Sequence, residues 1–171
     1  AERNLLARIE QTLALLAQFE EQDQRRIRDV ISVIVSGQEL DLKRFGTASN
    51  SNIAALHTDS ELDDYTWRVA GCVGKFWTEM CRAHLFSGQI PDETTFVQNG
   101  IRFGKGLQLV NILRDFAVDL RKGRCYLPAE LREKAGHKPH DLLDTAVEPR
   151  MRPVYDRYVA TSEDHLAAGW A

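Results

Sequence analysis

Cysteine is scarce in this chain: Cys72, Cys81 and Cys125 are odd in number and form no CxxC pair. That pattern argues against a disulfide framework and for a reducing compartment, with all three read as small core residues. Proline is sparse as well, five residues confined to the second half. No apolar run is long enough to cross a bilayer, and no secretory leader pattern opens the sequence. Excess charge is also missing. A formal net charge of −3 lacks the strongly basic footprint of a general nucleic-acid binder, and the densest early basic run, "RRIR" at Arg25 to Arg28, reads as a solvated helix face. There is no internal repeat and no low-complexity tract.

What the chain does have is 171 residues, 43% of them hydrophobic, with a negative mean hydropathy. That suffices for one domain with its own core. It opens inside a helical pattern, "AERNLLARIEQTLALLAQF", without a methionine and stops at "HLAAGWA", so residues 1–171 read as an internal piece of a single longer domain. Apolar residues recur at helical intervals and no strand is convincing. Leu5, Leu6, Ile9, Leu13, Leu16 and Phe19 make one amphipathic face; Ile27, Val30, Ile31 and Ile34 make a second, with Gly37 as its C-cap. "GTASNSNIAALHTDS" reads as a loop. Ser60 with Asp63 has the form of a capping box opening a long helix to about Phe86. After "SGQIPDE" another helix runs from Asp92 or Glu93 to about Lys122, closed by Gly123. "RCYLPAEL" is a turn into a short helix, and the last helix starts near Arg152. The expected architecture is an antiparallel helical bundle.

One stretch carries candidate chemistry. In "NILRDFAVDLRKGR" the 100° step of a helix puts Gln108, Asn111, Asp115 and Asp119 on one face. Leu109, Ile112, Leu113, Phe116 and Leu120 share another, while Leu107 and Val110 flank the acids. Carboxylates one turn apart and hemmed by apolar groups require compensation by a cation or a hydrogen-bonding network. Asp oxygens and an Asn carbonyl suit Mg²⁺, which completes its shell with waters and phosphate oxygens; Arg114, Arg121, Lys122 and Arg124 could pair with phosphate. The plain alternative is a surface helix with acids and bases interleaved for i,i+4 pairing.

A second stretch, "YTWRVAGCVGKFW", places Ala70, Gly71 and Gly74 in an aromatic-rich helix. Each mid-helix glycine costs about 1 kcal/mol relative to alanine. Close helix contact would offset that. So would a concave wall of Tyr65, Val69, Val73 and Trp77 around a long apolar ligand, with aromatic faces near a carbocation.

"YTWRVAGCVG" followed by "GKGLQLVNILRDFAVDLRKGRCYLP", with "GQELDLKRF" upstream, resembles the squalene and phytoene synthase family of head-to-head prenyltransferases over nearly the whole chain. The resemblance implies an all-α isoprenoid-synthase bundle around a central cavity, here partial. It implies the joining of two farnesyl diphosphates to presqualene diphosphate or squalene, with Mg²⁺ assisting diphosphate departure and a dry tunnel protecting the allylic cation and the cyclopropyl intermediate. Phytoene or dehydrosqualene synthesis, and a non-catalytic scaffold member, are the family alternatives. By matching position, Asn111, Asp115 and Asp119 are the metal-site residues, and Tyr65 joins Asp115 and Asp119 as catalytic. Gln108 and Arg114 are substrate and diphosphate contacts alongside Asn111. Ala70, Val73 and Gly74 line the pocket, and Tyr126 follows the motif.

The resemblance further implies an isoprenyl diphosphate as partner, no nucleic acid, NADPH where reduction follows coupling, and a cytoplasmic location with peripheral contact to the inner face of a membrane. Oligomeric state is left open. There are two departures. Val118 stands where the family often has an acid, and the first aspartate-rich motif is not found upstream of Tyr65. "DSELD" at Asp59 to Asp63 has the right letters but sits at a helix start, where acids favour the macrodipole. The isolated chain is therefore expected to be inactive. A di-iron bundle would need Glu-x-x-His pairs, and the five histidines supply none.

Overall fold

The computed structural model describes residues 7–86, 88, 92–129, 133, 136 and 138–170. Its elements are α1 (Ile9–Leu16), α2 (Glu21–Phe45), β1 (Ala54–Ala55), α3 (Asp59–Thr66), a π-helical turn (Trp67–Gly71), α4 (Cys72–His84), α5 (Glu93–Arg121), β2 (Arg124–Cys125), two 3₁₀ turns (Pro139–Leu143 and Thr145–Val147) and α6 (Glu148–Trp170). Among the described residues the fold is all-α apart from one pair of two-residue strands.

Helix α5 is the mast of the structure, with α6 along one side and α4 with the π turn along another. Its N-terminus is fixed by Asp92, whose carboxylate accepts from the Thr95 N–H at 3.0 Å. Gly123 ends it with φ of 83°, and a Cβ there would stand 2.3 Å from the Ser49 backbone. Only glycine allows both the left-handed turn and that approach. The chain then drops beside β1 in parallel register, Ala54 opposite Arg124 and Ala55 opposite Cys125. Around this pairing lies the core: Phe45, Leu56, Leu62, Leu109, Ile112, Leu113, Leu120, Leu127 and Tyr158, each side chain contributing about 1.5–3 kcal/mol by leaving water.

Several sequence expectations shift. The strand pair lies partly within the presumed loop, because two extended residues carry no readable alternation. Gly37 is no C-cap: α2 runs on to Phe45, and a Cβ on Gly37 would meet the Arg68 Cβ at 2.9 Å, so this glycine is a packing residue. The cap of α3 is Thr58, whose hydroxyl accepts from the Glu61 N–H at 3.2 Å, two residues before the expected Ser60. The long helix through Phe86 is interrupted by the π turn. Helix α6 begins at Glu148 and carries Pro153 inside it. Ile9, Leu13 and Phe19 are exposed, so the first amphipathic face is unburied among the described residues; Leu5 and Leu6 lie outside them. Asp59 and Asp63 tie helices together: Asp59 accepts from the Tyr158 hydroxyl at 2.5 Å and pairs with Arg157 at 2.7 Å, and Asp63 pairs with Lys105 at 2.7 Å.

A candidate diphosphate-binding groove

The second half of α5 presents the polar stripe. Gln108 is half-buried and Asn111 exposed, the Asn111 amide donating to the Gln108 Oε1 at 3.4 Å. One turn on, Arg114 forks both oxygens of its neighbour Asp115, at 2.9 and 2.7 Å. That hydrogen bonding holds the Asp115 carboxyl below the usual range. Leu107, Val110 and Val118 remain 47%, 40% and 46% exposed, so the stripe lines an open groove rather than a closed cavity.

Asp119 differs from Asp115. It is half-buried, and among the described residues its carboxylate has no hydrogen bond and no ion pair. Burial raises its carboxyl pKa, opposed by Lys122 and Arg124 and reinforced by Asp115 and Asp41.

Beyond Gly123, strand alternation puts Arg124 and Tyr126 on the same side, where both reach α2. Arg124 Nη1 donates to Asp41 Oδ2 at 3.0 Å, and the Tyr126 hydroxyl donates to Asp41 Oδ1 at 3.1 Å. The Tyr126 ring also packs at a tilt against Tyr65, with centroids 4.7 Å apart, and more steeply against Phe45 at 5.1 Å. Burial pushes both tyrosine hydroxyls up, Tyr126 furthest because Tyr65 and Asp41 add to it. Tyr65, Tyr126, Arg124, Asp41 and Asp119 thus form one polar cluster at the C-terminal end of α5. Asp41 was not singled out from the sequence, although "GQELDLKRF" contains it. The available signal was its four-residue spacing from Gly37 and Phe45, both buried, which puts it on the inward face of α2.

Ala70, Val73 and Gly74 lie apart from that cluster. With Val69, Trp77, Gly100, Phe103, Gly104 and Leu107 they line an apolar groove of about 440 Å³ between α4, the π turn and α5. The close-contact reading of the small residues holds there, since a Cβ on Gly74 would stand 2.0 Å from the Gly100 carbonyl oxygen; the same seam leaves a concave wall that includes Val69, Val73 and Trp77, while Tyr65 packs against Tyr126 instead. Gly104 and Asp115 are eleven residues apart on α5, about 16 Å at the helical rise, so oily and polar ends follow one another along one helix. A larger cavity of about 490 Å³, between Phe116, Leu142, Met151 and Tyr155, opens on the other side of α5; of the candidate phosphate partners it takes Arg121, and it holds none of the metal-site or pocket residues.

Among the described residues no three His, Cys, Asp or Glu side chains converge as a metal site. The donor set nonetheless fits a hard cation in part: two carboxylates and an amide oxygen one turn apart, one carboxylate half-buried without a partner. No helix of the described residues is long and apolar enough to cross a membrane.

The squalene/phytoene synthase family model matches residues 2–171. The chain belongs to that family. It is 34% identical over 123 residues to a 15-cis-phytoene synthase of Synechocystis sp., covering 70% of this chain and 34% of that protein. It is 34% identical over 143 residues to a presqualene diphosphate synthase of Zymomonas mobilis, covering 84% and 43%. It therefore spans less than half the length of either relative. A solved structure described as TcSQS in complex with a ligand superposes with a TM-score of 0.75 at 24% identity, over 98% of this chain and 46% of that one. That likeness identifies the all-α isoprenoid-synthase fold.

Proposed function

We propose that this member of the squalene/phytoene synthase family is part of a head-to-head prenyltransferase that joins two isoprenyl diphosphates, farnesyl diphosphate in a presqualene- or squalene-forming enzyme. The supporting observation is the arrangement on α5: a half-buried, partnerless Asp119 in an open acidic stripe that continues into an apolar groove. Asn111, Asp115 and Asp119 would hold Mg²⁺, which neutralises charge on a departing diphosphate. Arg114 and Arg124 donate N–H groups toward phosphate oxygens, and Gln108 adds an amide at the groove's polar end. Ala70, Val73 and Gly74 form the wall against which a prenyl chain lies, keeping water from an allylic cation. Tyr65 and Tyr126 stand at the C-terminal end of the stripe, near Asp119, where hydroxyl dipoles and ring faces act on developing positive charge.

A phytoene-type reaction on geranylgeranyl diphosphate is the second reading, favoured by the 15-cis-phytoene synthase among the relatives. NADPH belongs only to a squalene-forming outcome, where reduction follows coupling. Incubating the full-length protein with Mg²⁺ and either diphosphate, and analysing products by mass spectrometry, separates the two. The expected result is a C30 or C40 product lost on chelation and in Asp115→Asn. Undiminished product from Asp115→Asn overturns the assignment.

A further inference from the structure

Near its C-terminal end α6 comes close against α5: a Cβ on Gly106 would stand 3.1 Å from the His165 Cβ and 3.0 Å from the Leu166 Cγ. Arg102 of α5 reaches across that seam, its Nε donating to His165 Nδ1 at 3.4 Å and its Nη2 to the Asp164 carbonyl oxygen at 2.9 Å. A guanidinium only donates, so Nδ1 must present a lone pair. His165 is therefore neutral, with its proton on Nε2.

Most charges around this ring are matched. Asp59 of α3 pairs with Arg157 at 2.7 Å and accepts from the Tyr158 hydroxyl at 2.5 Å, while Asp63 of α3 pairs with Lys105 of α5 at 2.7 Å. Arg102 makes no ion pair among the described residues, and both of its acceptors are uncharged. Burial holds the imidazole below its ordinary value of 6.5, and Arg102 and Lys105 lower it further, outweighing Asp63 and Asp164. A proton added at Nδ1 removes the acceptor and sets a second cation against Arg102. One turn further along α6, Gly169 packs so tightly on Phe103 that a Cβ would stand 2.4 Å from the Phe103 Cβ, and both residues line the apolar groove with Val73 and Trp77. The ring and one wall of the groove thus belong to the same last turns of α6.

We propose that His165 is a pH-sensitive latch on the α5–α6 seam: neutral, it accepts from Arg102 and holds the last turns of α6 against the apolar groove; protonated, it loses that bond and releases them. The latch stands apart from the prenyltransferase reading, and only its effect on a substrate in the groove rests on that reading. Because the unfolded ring takes up its proton first as pH falls, the folded state loses stability from 6.5 downward until the folded ring titrates too, and loses no more below that.

The test uses the full-length protein. At about pH 7 the nitrogen NMR shifts of His165, assigned by their loss in His165→Gln, are expected to show Nδ1 unprotonated and Nε2 protonated. A ring protonated on Nδ1 at that pH overturns the latch. Lowering the pH to about 5 is expected to speed amide hydrogen exchange in residues 163–170 roughly threefold or more beyond the intrinsic chemical rate. In His165→Gln, whose amide oxygen accepts from Arg102 at either pH, the acceleration is expected to disappear. Equal acceleration in the two proteins overturns the proposal. Arg102→Gln gives a second reading: the His165 titration midpoint should move up, and an unmoved midpoint overturns the coupling.

If the protein turns over a prenyl diphosphate, its KM should rise over the same pH step in wild type and less in His165→Gln; an equal rise breaks the link between latch and groove. Should wild type turn over neither diphosphate, the prenyltransferase reading fails, and the nitrogen shifts and amide exchange still decide the latch.

Discussion

The two faces of α5 are built from the same helix and do opposite things. One carries Leu109, Ile112, Leu113 and Leu120, all buried in the core. The other carries Asn111, Asp115 and Asp119 with Leu107, Val110 and Val118 exposed around them. The buried face follows the usual rule that apolar groups leave water. The open face breaks it twice, keeping large apolar groups wet and a carboxylate half-buried without a partner. The comparison separates residues that pack the core from residues proposed to carry chemistry.

Replacing Ile112 with Ala on the buried face should cost about 2–5 kcal/mol, measured by denaturant unfolding, while turnover per folded molecule holds. Loss of turnover without loss of stability would erase the distinction between the faces. Asp119→Asn on the open face should do the reverse, lowering turnover about a hundredfold or more. Its stability should rise or stay level at neutral pH. The sign follows from burial: a carboxyl whose folded pKa is raised disfavours the charged folded state once pH exceeds that value. Any gain should vanish below the unfolded value of 3.8, where both states are protonated, so thermal midpoints at pH 7 and pH 3 check it.

Gly104→Ala probes the edge between the faces. The added Cβ would lie 2.3 Å from the Ala70 carbonyl oxygen, and the forced separation of α5 from the π turn should cost about 1–3 kcal/mol and reshape the apolar groove. A stability loss with unchanged KM for the prenyl diphosphate would detach that groove from substrate binding. Smallest of all, Val110→Ser should change stability by no more than about 0.5 kcal/mol. A larger loss would mean that Val110 is covered in the full-length protein.

How legible these features were depends on how far apart the participating residues lie. The length of α5, its Asp92 start and its Gly123 stop could be read directly, since caps and periodicity act within a few residues. Placement of Gln108, Asn111, Asp115 and Asp119 on one side followed from helical geometry. The Thr58 cap was missed by two residues because "HTDSELD" offers several competing acids and hydroxyls. Gly37 was misread as a stop because a glycine in a helix looks the same whether it ends the helix or admits a neighbour. The bond from Asp59 to Tyr158 spans 99 residues and leaves no local trace.

The sequence by itself determined a helical chain, the order of its elements, and one helix whose acids share a side, because each follows from the 3.6-residue period and from groups within a turn of each other. Only the tertiary structure decided that Asp115 is matched by Arg114 while Asp119 stands alone, that the groove is open, and that Asp41 meets Tyr126 and Arg124. Those outcomes depend on where separate elements cross and on which polar groups burial strips of water. Neither quantity is carried by any single segment of the chain.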